Sequence, residues 1–237
     1  LGHNNNYEQF YKKKTYGERI FDIISRLNDI QNELVRMKEL CISEGIYNDL
    51  IILLTTDHGM TPFFGKSHLN ELRDDLNSLG IKAEVATCVK DDTEVVLLPY
   101  TIECSLYYIK DLDKEKKRKI DNLLKSKHYI LKYLYKDEMM KKYGLDDRGP
   151  DVLISPIYNE HIYTKDYLEN YGGNHDSLHK TSQHIFGMIF GGDIKKEVFT
   201  KRYRSIDLLP SIIRSNNNYF LKDSTSNNLF DVLSRKA

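Results

Sequence analysis

The chain has 237 residues, enough for one large domain or a domain with an inserted lobe. Forty per cent of it is hydrophobic and 11% aromatic, sufficient for a core, and 35 basic side chains balance 35 acidic ones, which excludes nucleic-acid binding driven by bulk charge. No apolar run approaches the roughly 18 residues of a membrane span, and three scattered cysteines, Cys41, Cys88 and Cys104, exclude both a disulfide framework and a thiolate zinc site.

The chain opens on Leu1-Gly2-His3, with no initiator Met and no visible signal peptide, and we expect it to be the C-terminal part of a longer protein. In its own polar context His3 reads as a disordered terminal histidine. From Tyr16 to Glu44 apolar residues recur at three- and four-residue spacing: Ile20, Ile23, Ile24, Leu27, Ile30, Leu34, Met37 and Cys41. That period predicts a long amphipathic helix with Met37 and Cys41 in the core and Gly45 as its C′ residue.

Leu50 to Thr55 is a short run of apolar and β-branched residues that reads as a strand buried on both faces. It ends in Thr56-Asp57-His58-Gly59-Met60. Ligands of open α/β sheets bind beyond the carboxyl ends of strands, where Asp57 and His58 stand, and Gly59 permits a turn there. A carboxylate beside an imidazole suits a divalent ion such as zinc. Taken alone, the pair reads more simply as an Asx-turn with a surface histidine.

Pro62 and Gly65 make 61–68 a loop, with Lys66 and His68 as solvated residues rather than substrate contacts. A helix from Leu69 to Leu79 is capped by Gly80. Strands follow at Ala83–Val89, Thr93–Leu97, Cys104–Ile109 and Tyr129–Tyr135, with helices at Lys114–Ser126 and Lys136–Tyr143. This stretch reads as an α+β lobe over residues 75–147, inserted in a domain that spans 1–237, with Asp151–Ser155 returning to the main sheet. Pro156 to Tyr171 reads as a loop.

A second cluster comes next, Tyr171-Gly172-Gly173-Asn174-His175-Asp176-Ser177-Leu178-His179, with His184 close behind. Its glycines argue for a loop rather than a helical zinc pair. A strand at Ile185–Phe190 and an apolar helix at Ser205–Ile213 precede an Asn/Ser-rich tail. The fold class is α/β, a mostly parallel sheet flanked by helices with the small α+β lobe inserted.

Together these motifs resemble the type I phosphodiesterase/nucleotide pyrophosphatase family of the alkaline phosphatase superfamily. Thr56-Asp57-His58-Gly59-Met60 is similar to its S/T-D-H-G-M element, Gly2-His3 to the end of its D-x-x-G-H element, and Gly173-Asn174-His175 to its G-T-H-G element. Ser182 to Gly192 is similar to the segment after that histidine, and Ile206-Asp207-Leu208-Leu209-Pro210-Ser211-Ile212 to the closing V-D-x-x-P-T-I element. The resemblance implies an alkaline-phosphatase-like fold and a two-metal site, usually zinc. It gives Asp57 and His58 to one metal and His3 and His175 to the other, with the nucleophile and two further aspartates upstream of Leu1.

It also implies a hydrolase of phosphodiester or pyrophosphate bonds in nucleotides or related small molecules, and a secreted or membrane-anchored ectodomain. The departure is Asp176, where the family carries Gly; a carboxylate there crowds the site or contacts a metal itself. The alternatives are another chemistry of the superfamily, such as phosphonoacetate hydrolysis, and a catalytically silent binding module of the same fold. An ethanolamine-phosphate transferase fits less well, because His68 has no glycine after it.

Overall fold

In a computed structural model the chain is described over residues 16–192, 194, 198 and 202–215. Its contacts divide it into two units, one built on His58–His184 and the other on Asp22–Asp57 and the segment from Ile185.

In the larger unit the apolar spacing of α2 (Leu69–Ser78) buries Leu69, Leu72 and Leu76 on one face, as a 3.6-residue period dictates. Helix α3 (Lys114–Ser126) starts where the Asp113 carboxylate accepts from the Lys116 N–H at 2.8 Å and buries Ile120 and Leu124. Helix α4 (Lys136–Tyr143) stops at Gly144, whose φ of 67° takes the left-handed cap conformation. These helices flank a five-stranded sheet of β3 (Ala83–Val85), β4 (Val95–Pro99), β5 (Cys104–Tyr108), β6 (Ile130–Tyr135) and β7 (Val152–Pro156). Its spatial order is β3-β4-β5-β7-β6, and only β3–β4 is parallel. Val95, Leu97, Leu106, Val152 and Ile154 meet Leu72, Leu76, Ile120 and Tyr129 in one continuous core.

Two expectations change here. The strand expected to return to a main sheet, β7, lies between β5 and β6, pairing Ile154 with both Cys104 and Tyr133. Its mostly buried residues fit either place, so only the pairing decides it. The expected loop at 61–68 begins with a strand, β2 (Thr61–Gly65), and part of the expected loop before Tyr171 is β8 (Tyr167–Asn174). The two pair antiparallel as a separate ribbon. Pro62 is tolerated because a strand with a single ladder need not donate from every N–H. Gly65, at φ 97°, takes up a register shift between Phe63 and Gly65.

Helix α1 (Tyr16–Ser43), in the second unit from Asp22 on, ends in a Schellman motif, Ile46 N–H to Cys41 C=O and Gly45 N–H to Ile42 C=O, both at 3.0 Å. Strand β1 (Ile51–Thr55) pairs antiparallel with β9 (Gly187–Gly191). Asp207 accepts from the Arg204 guanidinium and backbone ahead of α6 (Leu208–Ser215), so the closing motif's aspartate is a buried helix-start residue. The apolar stripe of α1 is exposed, Leu27 by 58% and Met37 by 36%, and Cys41 is half-buried; neither Met37 nor Cys41 is a core residue. Strand β1 is half-buried rather than covered on both faces. Periodicity identifies the apolar face of an element, not what covers it.

The architecture is α/β, with one mixed sheet flanked by helices and two antiparallel strand pairs. Among the described residues no helix is long and apolar enough to cross a membrane.

Candidate functional site

The β2–β8 ribbon explains how two distant histidines meet. Antiparallel pairing sets Thr61 opposite Asn174 and Phe63 opposite Gly172. Residues just before β2 and just after β8 therefore emerge at the same end of the ribbon. His58 and His175 are those residues, and their rings stack with centroids 3.8 Å apart and planes 25° from parallel.

The glycine pair belongs to this geometry. The buried Phe63 ring lies over Gly172, edge-on to Tyr167 at 4.7 Å, and a Cβ at 172 would overlap the ring. Gly59 also serves close approach, and does so without a positive φ. A Cβ there would overlap the Thr181 carbonyl oxygen. Gly59 N–H donates to Ser182 C=O at 2.8 Å, and Met60 N–H to Thr181 C=O at 3.0 Å. The Thr61 hydroxyl, buried, lies 2.6 Å from both the Thr181 and Ser182 hydroxyls and ties the two segments further. In the sequence Ser182 stands at the start of a motif segment, but nothing local marks that these three hydroxyls meet.

His58 Nδ1 lies 2.8 Å from the Gly59 carbonyl oxygen, which can only accept, so Nδ1 bears a proton, and in the neutral ring the lone pair falls on Nε2. His175 Nδ1 is 3.2 Å from an Asp176 carboxylate oxygen, and the His175 backbone N–H donates to Asn174 Oδ1 at 2.7 Å. Asn174 in turn donates to Thr101 Oγ1 at 2.6 Å. Asp57 belongs to the other unit, is exposed and accepts from the Thr56 hydroxyl at 3.3 Å. His3 lies outside the described residues.

Two other histidines of the cluster have local roles. His179 caps the short helix α5 (Lys180–Gln183), its Nδ1 accepting from the Thr181 N–H at 3.2 Å. Partial burial, and then the Lys180 charge, hold its pKa below the ordinary value. His184 closes the same helix. His68 is not the solvated loop residue expected. Its ring stacks on Tyr129 at 3.8 Å and 8°, with Nδ1 2.9 Å from Glu71 and Nε2 2.8 Å from Glu160. An aromatic face and two carboxylates from different segments left no local signal to read.

Beneath the His175 turn lies Glu103, 7% exposed. Burial pushes its carboxyl up to about 7, against hydrogen bonds from the Ser155 hydroxyl and the Leu178 N–H, with the Asp176 charge adding to the rise. Its Oε1 has no hydrogen-bond partner among the described residues. Nothing in the sequence marked it.

Among the described residues no three His, Cys, Asp or Glu side chains are grouped as a metal cluster. The donors that do meet, two imidazoles with a carboxylate at one of them, are of the kind zinc takes.

Solved structures resemble the chain over 87% of its length. Human ectonucleotide pyrophosphatase/phosphodiesterase 5 superposes with a TM-score of 0.56 at 16% identity. The murine protein does so at 0.54, and an inactive variant of it in complex with AMP at 0.55, both at 16% identity. The chain shares the fold of these structures. At this identity the likeness speaks to the fold alone. The chain spans about half of these structures, 51% of each. No family model and no curated protein matches it. Within this fold, the ribbon end brings the His58 and His175 imidazoles together.

Proposed function

We propose that the chain carries part of the active site of a metal-dependent phosphoric diester hydrolase, acting on phosphodiester or pyrophosphate bonds of nucleotides or related small molecules. The observation that carries this reading is the approach of His58 to His175 at the end of the β2–β8 ribbon. His58 presents Nε2 because its Nδ1 proton is committed to Gly59. Asp176 beside His175 Nδ1 fixes that ring in the same sense, with Nε2 as the donor nitrogen, as carboxylate partners of metal-binding histidines do. The departure from glycine at 176 is then compatible with a working site. By the motif resemblance Asp57 and His58 hold one ion, and His3 and His175 a second. Two zinc ions bound there would neutralise charge on the phosphoryl oxygens and lower the pKa of the attacking hydroxyl. The AMP complex of the murine structure supports a small nucleotide as the substrate class.

The test is hydrolysis of a chromogenic phosphodiester by the whole protein with zinc supplied. Turnover should be abolished by a chelator and reduced by orders of magnitude in His175→Ala. Folding without stoichiometric zinc and with no turnover would instead identify a silent module.

A further inference from the structure

We infer that Glu103 is a positioning residue: its buried carboxyl holds the Ser155–Leu178 junction, and so keeps the His175 ring stacked on His58. The side chain is sealed from solvent immediately before β5, and the antiparallel register that pairs Cys104 with Ile154 sets Glu103 opposite Ser155 at the end of β7. Ser155 Oγ accepts from the Leu178 N–H at 2.8 Å and lies 3.4 Å from Ser177 Oγ, which in turn accepts from the His179 N–H at 2.9 Å. Ser155, across the sheet from Glu103, thus ties β7 to the turn that carries His175.

An orphaned carboxylate oxygen in this setting is costly, and a protonated acid far less so. Among the described residues, Asp176 is the titratable group whose charge reaches Glu103, and its negative charge also favours the neutral acid. A neutral acid beside Asp176 leaves that carboxylate to interact with His175 without a competing buried anion. The inference bears on the site of the proposed hydrolase, but its readout needs neither metal nor substrate.

The experiment follows the imidazole ring signals of His58 and His175 by NMR in the full chain, whose ring-current shifts report the stacking. Glu103→Ala should displace both sets while the methyl signals of Leu106 and Val152 stay in place. Glu103→Gln, which keeps the shape and the neutral charge, should restore them. Should Glu103→Ala not fold, Ser155→Ala should displace the same ring signals. Ring signals unchanged in the foldable alanine variant, or displaced as far by Glu103→Gln as by Glu103→Ala, overturn the assignment. Loss of hydrolysis with intact stacking would count against the hydrolase reading alone.

Discussion

The Thr181 carbonyl oxygen occupies the space that a Cβ on Gly59 would need. The contact is backbone to backbone, so no side chain can turn away to relieve it. Gly59→Ala should therefore separate the 58–60 segment from α5 and break two hydrogen bonds, Gly59 N–H to Ser182 C=O and Met60 N–H to Thr181 C=O. Overpacking of this kind costs about 1–3 kcal/mol and each lost bond about 1 kcal/mol. The measurement is the urea midpoint, expected to fall without a change in slope.

Gly172 and Phe63 form a second close approach, this time against a side chain. Gly172→Ala should destabilise the ribbon by about 1–3 kcal/mol. Phe63→Leu in the same chain should recover part of that loss, because the ring is what the new methyl meets. A double-mutant cycle that finds the two substitutions additive would show the clash to be absent.

How much of this was legible in the sequence depended on whether the deciding partner was local. The bounds of α3 and α4 were read to the residue because helix starts, helix stops and apolar spacing are written in neighbouring positions, as at Asp113 and Gly144. Strand β2 was missed because Pro62 and Gly65 signal turns unless a partner strand supplies an edge and a bulge. The exposure of Leu27 and Met37 was invisible for a related reason, since periodicity is silent about covering. His58 and His175 came together on paper only through motif resemblance. Glu103 offered nothing, as a single glutamate ahead of a strand has no pattern to recognise.

Glu103 also predicts a pH dependence of stability. Its folded pKa of about 7 lies above the ordinary 4.5, so the folded state binds the extra proton between those values. Stability contributed by this group is fully present below about 4.5 and is lost as pH rises through 7, by roughly 3 kcal/mol in total. Comparing the wild type with Glu103→Gln isolates it from other carboxylates. Glu94, held below its ordinary value by Lys116, has the opposite sign and acts at lower pH. Urea unfolding at pH 5 and pH 8 should show a larger drop for the wild type than for the glutamine variant, and parallel drops would remove Glu103 from the account.

His68 and His175 should respond to alanine in opposite ways. His68 sits between Glu71 and Glu160 with its ring flat on Tyr129, whose hydroxyl burial raises its own pKa, so this is a packed interior contact and not a solvated loop. Removing it strips two charge-assisted hydrogen bonds and one ring face, and should cost about 2–4 kcal/mol of stability. It touches neither His58 nor His175 among its described contacts, so kcat of the whole protein on a phosphodiester should change little below the lowered Tm. His175, one-third exposed at the ribbon end, should behave conversely. Its alanine variant should keep its Tm within a few degrees and lose zinc affinity by calorimetry together with turnover. A His175→Ala protein that unfolds as early as His68→Ala while binding zinc normally would make His175 a packing residue, and the metal would have to be sought elsewhere.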